Sequence, residues 1–412
     1  MSVPKLRFKE FDGDWSESKL KDCIDSIDSG WSPQCESYPA DENEWAVLKT
    51  TSVDWDGFKA NFNKKLPSNL EARFEIEVKP NDILVTRAGP TERVGVVAVV
   101  PHNVRSKLMI SDKLIRLKAN NENNPEFLGI SLSSVKCQNQ LQSKTSGLAK
   151  SQTNISQKIL CDVSLMTPAK AEQTKIASFL SNVDEKISQL TQKHQLLSQY
   201  KQGMMQKLFS QEIRFKADDG SEFGEWEETT LGEIGTFKSG QGFPEQFQGG
   251  KDGIPFFKVS DMNILGNEKI MKVANNYVNS EAITKMKAKV IDNEAIIFAK
   301  VGAAIFLERK RLAKNFLIDN NMMAYLSNQK TNIMFLKQFL DNIKLSKFVQ
   351  VGALPSYNSS DLAIIPISLP CLEEQTKIAN FLSAIDQKLE VVAQQIEQAK
   401  TWKKGLLQQM FV

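Results

Sequence analysis

Basic, amide and hydroxyl side chains recur in the loops of two long segments, and they are the groups in this chain best suited to binding chemistry. Lysine and arginine hold phosphates, whereas guanidinium, amide and hydroxyl groups pair with base edges. The alternative is that each such cation is a solvated surface charge. In the first segment the candidates for DNA contact are Lys49, Thr50, Thr51, Lys64, Lys65, Arg87, Arg93, Lys144, Ser146, Lys150 and Gln152. In the second they are Lys238, Ser239, Gln241, Lys258, Ser260, Asp261, Lys300, Arg309, Lys310, Arg311, Ser356 and Asn358.

Catalytic motifs are missing from the sequence. An amino-methyltransferase needs an Asn/Asp-Pro-Pro-aromatic loop, and the chain contains no Pro-Pro pair. GTFKSGQG (235–242) resembles a phosphate-binding loop, but Gln241 and Gly242 replace the required lysine and hydroxyl residue. The only histidines are His102 and His194, which leaves few candidates for acid-base or metal chemistry. We therefore predict no catalytic residue, no metal and no cofactor.

Composition is that of an ordinary globular protein with more than one domain. The 412 residues are 41% hydrophobic and 25% charged, and 52 basic against 49 acidic residues give a net charge of +3. Any basic surface must therefore be local. The five cysteines are scattered without CxxC spacing, which argues against disulfides and structural zinc. No apolar run suits a membrane span or a signal peptide, so we expect a cytoplasmic protein.

Two long amphipathic helices are the elements that must position these residues. EQTKIASFLSNVDEKI (172–187) and EQTKIANFLSAIDQKL (374–389) are identical at 11 of 16 positions, at an offset of 202. Apolar residues continue in 4,3 alternation for about four heptads, which predicts two coiled-coil helices of roughly 40 residues and 60 Å. Neither helix can bury its seam alone, so each is expected to pair with the other. The seam consists of Ile176, Leu180, Val183, Ile187, Leu190, Leu197, Ile378, Leu382, Ile385, Leu389, Val392 and Ile396.

A globule of mixed strands and helices precedes each long helix. The two globules open alike, with RFK, an acidic-glycine turn, a tryptophan (Trp15, Trp226) and a leucine (Leu20, Leu231), and they close at Pro168 and Pro370. Between these points the two sequences have diverged. The pattern predicts an α+β fold with a pseudo-two-fold internal repeat. Its expected parts are a first globule (1–168), a first helix (169–211), a second globule (212–370) and a second helix (371–412).

Several polar residues of the helices and aromatic residues of the globules have alternative interpretations. Lys201 and Lys403 occupy one seam position, where a polar residue more often fixes helix register than binds a ligand. His194 lies on the seam, as a packed or rim histidine. The helix residues expected to face outward, and so to bind partner proteins, are Gln173, Lys175, Ser178, Gln375, Lys377 and Asn380. The aromatic residues that form either core or groove-facing rings are Trp31, Phe58, Phe62, Phe243, Phe247, Phe256 and Phe257.

Antiparallel pairing of the helices would hold two related globules at the ends of a rod of about 60 Å. Duplex DNA suits such a reader, because its half-sites recur at about one helical turn, roughly 34 Å, or more. Since the globules differ, two unlike half-sites would be read across an unread spacer. The alternatives are a non-catalytic adaptor that binds proteins through both modules, and, less favoured by the motifs, a fused nuclease or methyltransferase.

The chain resembles the specificity (S) subunits of type I restriction-modification systems over its whole length. The resemblance lies in the two EQTKIA helix starts, the paired tryptophan-leucine openings, SGWSPQ (29–34), LKTT (48–51), FKVSDMN (257–263) and FAKVGAA (298–304). It implies two target-recognition domains that read a bipartite, asymmetric site in double-stranded DNA. It also implies that the helices are spacers and docking surfaces for two methyltransferase subunits, which restriction subunits join. All chemistry would then reside in those partners.

Overall fold

The structure, a computed structural model, describes residues 3–145, 153–350, 352 and 354–411. The chain divides into two compact units, one comprising Met1–Thr191 with Gln394–Val412 and the other Gln192–Ala393. The division crosses both long helices. Each unit therefore combines one globule with the start of one long helix and the end of the other.

The first globule consists mainly of short strands. Its strands are β1 (Ser16–Lys19), β2 (Ile24–Ser29), β3 (Ala46–Leu48), β4 (Val53–Asp54), β5 (Gly57–Phe58), β6 (Asn63–Lys65), β7 (Ile83–Thr86), β8 (Ala88–Gly89), β9 (Val97–Val99), β10 (Leu108–Met109), β11 (Leu114–Ala119), β12 (Thr153–Asn154) and β13 (Ser164–Thr167). The helices are α1 (Pro125–Leu132), α2 (Val135–Gln142), α3 (Gln157–Cys161) and the long α4 (Lys170–Phe209), which continues into the second unit.

A four-stranded antiparallel sheet, β2-β11-β7-β9, is the centre of the first globule. Ile83 and Val85 on β7 face a core shared with α1 and α4, whereas Leu84 faces a second core that includes β3 and β10. Burial on both faces explains why these strands read as continuous apolar runs rather than alternating ones. In the second layer β3 lies between β10, to which it is parallel, and β6, to which it is antiparallel.

The second globule has its own strands and helices. The strands are β14 (Glu227–Thr230), β15 (Gly235–Ser239), β16 (Ile254–Phe257), β17 (Tyr277–Val278), β18 (Ala295–Ala299), β19 (Lys310–Ala313), β20 (Leu317–Ile318), β21 (Met322–Ser327) and β22 (Pro366–Leu369). The helices are α5 (Leu231–Ile234), α6 (Ser280–Met286), α7 (Ile333–Asn342), α8 (Ser359–Ala363) and the long α9 (Leu372–Met410), which ends in the first unit.

The topology of the second globule repeats that of the first. Its central sheet has the order β15-β21-β18-β19, and β16 pairs in parallel with β20 as β3 does with β10. Strands β15, β21, β18 and β19 therefore correspond to β2, β11, β7 and β9. The sequence repeat, which is plain only in the helices, thus extends through both globules as a repeat of fold.

Each globule begins and ends on one strand pair. The opening strand β1 pairs antiparallel with β13, the last strand before α4, and β14 pairs with β22 in the same way before α9. A buried glutamate secures each junction. Glu172 accepts hydrogen bonds from Arg7 at 2.7 Å and from the Trp15 indole at 3.3 Å. In the second unit Glu374 accepts from Arg214 at 2.7 Å and from Trp226 at 3.0 Å.

The long helices pair antiparallel within each unit. In the first unit Asp184 on α4 lies 2.6 Å from Lys403 on α9. Arg7 binds Glu172 near the start of α4, and its neighbour Leu6 donates its backbone N–H to the carbonyl of Gln409 near the end of α9. The start of α4 therefore lies near the end of α9, and residues later in α4 meet residues earlier in α9. This confirms the predicted fold class of two mixed globules on an antiparallel helix pair.

Most residues of the predicted seam are buried. The buried ones are Ile176, Leu180, Val183, Leu190, Ile378, Leu382, Ile385, Val392 and Ile396. Ile187, Leu197 and Leu389 are half-buried.

Within the described part of the chain, no helix combines the length and apolar character needed to cross a bilayer.

Candidate nucleic-acid interface

In both globules a glycine allows the chain after the first sheet strand to pass close to the backbone of another segment. Gly30 follows β2, and a Cβ atom added there would lie 1.8 Å from the carbonyl oxygen of Ile110. Gly240 follows β15, and its Cβ would lie 1.8 Å from the carbonyl oxygen of Asp319. No side chain fits either position. Both glycines lie beside the segment that leads into the middle strand, β11 or β21, so the two globules share one backbone path at this end of the sheet.

A basic residue follows the next strand in each globule. Arg87 comes directly after β7, and its backbone N–H donates to the carbonyl of Lys113 at 2.8 Å. Lys300 comes directly after β18, and its N–H donates to the carbonyl of Asn321 at 2.7 Å. The two positions are structurally equivalent, and a cation occupies both although the surrounding sequences differ.

A second basic residue is equivalent in the other layer. Lys49 follows β3 and opens a 3-10 turn in which its carbonyl accepts from the N–H of Ser52 at 3.0 Å. Lys258 follows β16 and makes the same contact with the N–H of Asp261 at 3.0 Å. The name basic edge is used below for Lys49 and Arg87 in the first globule, and for Lys258 and Lys300 in the second.

The residues of the basic edge converge within the second globule. The Nζ of Lys300 donates to the Oγ of Ser239 at 2.9 Å, and Ser239 is the last residue of β15. Lys258 directly follows Phe257, whose carbonyl accepts from the N–H of Asp319 at 3.0 Å. The ends of β15, β16 and β18 thus meet around the segment 318–321.

The same convergence occurs within the first globule. Segment 110–113 follows β10, the parallel partner of β3, at whose end Lys49 lies. This segment also accepts from the backbone of Gly30, through Ser111 at 3.3 Å, and from that of Arg87, through Lys113. Each globule therefore presents two cations around one backbone segment.

None of the four cations of the basic edge forms an ion pair with another described residue. Lys258 and Lys300 donate to neutral partners, Gln248 at 2.7 Å and Ser239. A cation without a carboxylate partner keeps its charge available for a polyanion. The arrangement can hold phosphates of a nucleic-acid backbone at each globule.

Other predicted cations are engaged in the fold. Lys65 lies 2.6 Å from Glu44. Arg93 lies 2.7 Å from Asp54 and donates to the carbonyl of Val53 at 2.8 Å. Hydrogen bonds from Lys59 and then Arg93 lower the pKa of Asp54 to about 2. The contacts of Arg93 stabilise the turn after β3, and the Lys65–Glu44 pair joins β6 to the segment before β3.

Two predicted contact residues are buried, and the prediction is wrong for them. Lys310 has 2% of its surface exposed, and its ammonium contacts Glu308 at 2.8 Å and the carbonyl of Ile343 at 3.1 Å. Asp261 is fully buried, where its carboxylate accepts from the Lys258 N–H at 2.8 Å and from the Asn275 amide at 2.6 Å. Both side chains stabilise turns and cannot reach a ligand.

The remaining candidates lie on the surface of their own unit. Arg309 donates to Asn263 at 2.5 Å, Arg311 donates to the carbonyl of Lys310, and Asn358 caps α8. Those exposed or half-buried are Thr50, Thr51, Lys64, Lys144, Lys238, Ser239, Gln241, Ser260, Arg309, Arg311, Ser356 and Asn358. Ser146, Lys150 and Gln152 lie outside the described residues.

The expectation that both glutamines of the helix starts face outward is wrong. Gln173 and Gln375 are buried at 2% and 0% exposure. Gln173 accepts from the backbone N–H of Asn124 at 2.9 Å, and Gln375 accepts from that of Asn332 at 2.7 Å. Each glutamine therefore joins its long helix to the start of α1 or α7. A partner protein cannot contact these two side chains.

The other four residues of the predicted partner surface remain accessible. Ser178 and Asn380 are exposed. Lys175 is exposed beside Glu10 at 3.5 Å, and Lys377 is half-buried with its ammonium 2.6 Å from Asp218.

One arginine missed by the sequence analysis has an aromatic support. The guanidinium carbon of Arg73 lies 4.1 Å from the centre of the Trp31 ring. The two residues are far apart in sequence, so no local pattern indicates the contact.

Among the described residues, no group of three His, Cys, Asp or Glu side chains is arranged to hold a metal ion.

Comparison with known protein families gives a match in both halves of the chain. A family model described as the type I restriction modification DNA specificity domain matches residues 13–199 and 224–401. The EcoEI type I restriction enzyme specificity subunit of Escherichia coli is 37% identical over 187 residues, which cover 45% of this chain and 31% of that protein. A putative MjaX specificity subunit of Methanocaldococcus jannaschii is 27% identical over 421 residues, covering 98% of this chain and 94% of that protein.

Solved structures share the fold. The crystal structure of a type I restriction-modification S subunit from M. genitalium has a TM-score of 0.62 at 17% identity, and the match covers 100% of this chain and 99% of that one. A chain from a study of complex assembly and conformational transition in the type I R-M system has a TM-score of 0.54 at 17% identity, over 97% of each chain.

Proposed function

The chain belongs to the type I restriction-modification DNA specificity domain family, whose model matches both of its halves, and we propose that its two globules read the two unlike parts of a bipartite DNA site. It is a specificity subunit, and the chemistry of the system resides in other subunits. We also propose a cytoplasmic location, where bacterial and archaeal DNA lies. The observation that carries the proposal is the basic edge, which recurs at equivalent positions in two globules of otherwise diverged sequence.

Divergence around a constant backbone supports the reading of two different half-sites. Cations that hold phosphates can be alike in both globules, because phosphates carry no sequence information. Side chains that read bases must differ if the two half-sites differ. The combination of equivalent cations with unlike neighbours is what an asymmetric bipartite site requires.

Partner subunits complete the proposal. We expect two methyltransferase subunits to dock on the long helices near Lys175, Ser178, Lys377 and Asn380, and restriction subunits to join that assembly. The assignment rests on the exposure of Lys175, Ser178 and Asn380, on the partial exposure of Lys377, and on the family to which the chain belongs.

A binding experiment tests the proposed function. The chain alone and its complex with the methyltransferase subunit are titrated with two unmethylated duplexes at several salt concentrations. One duplex carries the sequence that the wild-type complex methylates, and the other carries a scrambled sequence. We expect tight binding of the site by the complex, with the log-log salt slope steeper by about 0.9 for each phosphate contacted. Absence of site preference in the complex would contradict the proposal and favour a protein-binding adaptor.

A further inference from the structure

We infer that Arg73, held over the ring of Trp31, reads a guanine in the half-site recognised by the first globule. The inference rests on the proposed function and assigns a specificity-determining residue within it. Arg73 is exposed, and its guanidinium carbon lies 4.1 Å from the indole centroid. Trp31 is half-buried and packs against the core beneath β3 and β10. A fixed ring therefore supports a solvent-facing guanidinium.

The Arg73–Trp31 pair lies at the same end of the sheet as the basic edge. The N–H of Trp31 donates to the carbonyl of Ile110 at 3.1 Å, and the N–H of Arg73 contacts the sulfur of Met109 at 3.2 Å. Residues 110–113 are also the segment to which Arg87 is bonded through Lys113. A duplex whose phosphates meet Lys49 and Arg87 therefore lies beside the Arg73 fork.

The Arg73 guanidinium is open to solvent. Among the described residues it makes no hydrogen bond and no ion pair. Arg116 illustrates the opposite case, because its guanidinium is buried and donates to Asp28 and to the carbonyl of Glu77. A structural arginine such as Arg116 donates its N–H groups to acceptors within the fold, whereas the Arg73 guanidinium faces solvent.

The contact with the Trp31 ring indicates which ligand group suits Arg73. This cation–π contact already restricts the arginine side chain, so little further side-chain freedom is lost when two parallel hydrogen bonds form. The two acceptors of guanine in the major groove, N7 and O6, match this fork, and the pairing is the commonest specific arginine-base contact. In the part of the chain that the structure describes, no aromatic ring lies against the Lys49 or Arg87 cation, and both suit the less directional task of holding phosphates.

The equivalent position in the second globule lacks the pair. Gln241 follows Gly240 as Trp31 follows Gly30, and its N–H donates to the carbonyl of Ile318 at 3.0 Å. An amide therefore stands where the first globule has an indole. Loss of Arg73 should consequently affect one half-site only.

Base-pair substitution in complexes of the full chain with its methyltransferase subunit tests the inference. The probes are duplexes carrying the site methylated by the wild-type complex, and every single base-pair variant of that site. We expect Arg73→Lys to keep the charge but weaken cognate binding by about tenfold to a hundredfold. The same variant should lose the preference for guanine at one position of the first half-site, and preferences in the second half-site should remain. Trp31→Leu should lose the same preference, whereas Trp31→Phe should retain most of it.

Lys118→Ala is the matched control, because Lys118 is exposed at the opposite end of β11. Unchanged base preferences in Arg73→Lys overturn the inference. Equal weakening on every duplex, with a shallower salt slope, identifies a phosphate contact and also overturns it. Thermal melting of each complex tests whether the variants are folded, and if Trp31→Leu is not, Arg73→Lys decides. Failure of the wild-type complex to prefer any site would instead contradict the proposed function.

Discussion

Lys201 on α4 donates to both carboxylate oxygens of Asp386 on α9, at 2.8 and 2.9 Å. Adding the repeat offset of 202 to Asp184 and Lys201 gives 386 and 403, and Lys403 lies 2.6 Å from Asp184. The same ion pair is therefore made once in each unit, with the donor and acceptor helices exchanged. This supports the interpretation that the seam lysines fix the antiparallel register of the helices.

The two ion pairs should contribute unequally to stability. Lys201 and Asp386 have 17% and 24% of their side chains exposed, whereas Asp184 is 52% exposed. We expect Lys201→Ala to lower the free energy of unfolding by about 2 kcal/mol, because it leaves a partly buried carboxylate without its cation. Lys403→Ala should cost less than about 1 kcal/mol. Urea denaturation measures both, and equal losses would count against this ranking.

Removal of Arg87 or of Lys300, the cations that follow β7 and β18, should weaken DNA binding without changing its sequence preference. Arg87→Ala and Lys300→Ala each remove one proposed phosphate contact, so the log-log salt slope of the complex should become shallower by about 0.9. Fluorescence anisotropy at several salt concentrations measures the slope. Lys118→Ala is the charge-matched control for Arg87→Ala. An unchanged slope in either variant would remove that residue from the interface.

Glu374→Ala should destabilise the second unit strongly. The carboxylate is fully buried and accepts from Arg214 and Trp226. Its loss leaves a partly buried guanidinium and an indole N–H without their acceptor, at a cost of about 3 kcal/mol. Glu373→Ala is the control, because Glu373 is the exposed neighbour in the same helical turn. Denaturant unfolding compares the two, and similar midpoints would contradict the structural role of Glu374.

Thiol labelling should proceed in a fixed order. Cys371 is exposed, whereas Cys23 and Cys137 are buried. Burial, with a smaller effect of Asp22, raises the pKa of Cys23 to about 11, and burial also raises the pKa of Cys137. Because the thiolate is the reactive form, a maleimide at pH 8 should modify Cys371 first and the two buried thiols only on unfolding. Mass spectrometry after Cys371→Ser should show loss of the fast phase; early modification of Cys23 would contradict its burial.

Helix length should set the spacing of the two half-sites. Four residues inserted after Leu190 and after Val392, its repeat equivalent, lengthen both helices by about 6 Å and should extend the preferred spacer by roughly 2 bp. Changing both helices together preserves their antiparallel match. Methylome sequencing of a host carrying the variant and its methyltransferase subunit measures the spacer. Methylation at the original spacing would contradict the role of the helices as a ruler.

The helices were predictable from sequence because their periodicity is local. The seam repeats every heptad, and the duplicated EQTKIA starts mark both helices without knowledge of the rest of the fold. The outward assignment of Gln173 and Gln375 failed for a different reason. Each glutamine is buried by a loop of its globule, through Asn124 or Asn332, and helical periodicity carries no information about that contact.

Predictions for the globules were less accurate because several strands are short and bounded by turns of unusual conformation. The run AAIFLERKR (303–311) reads as a strand, but residues Ala303–Leu307 form a 3-10 helix and β19 begins only at Lys310. Gly302 and Glu308 have positive φ angles of 82° and 51°, which separate the run from β18 and from β19. Lys49, Arg87, Lys258 and Lys300 could be proposed from residue type and from their places beside predicted strands, whereas Arg73 depends on a contact with distant Trp31.

The pairing of β1 with β13, and of β14 with β22, brings the two ends of each globule to a single point at the start of a long helix. Because the chain enters and leaves a globule at one point, a loop between the paired strands that makes no contact with the long helix can change in length without moving that point. Each globule is in this sense a closed module, bounded by the tryptophan of its opening and the proline of its last strand. If the globules read separate half-sites as proposed, exchange of one globule between related chains should change one half-site and leave the other unaltered.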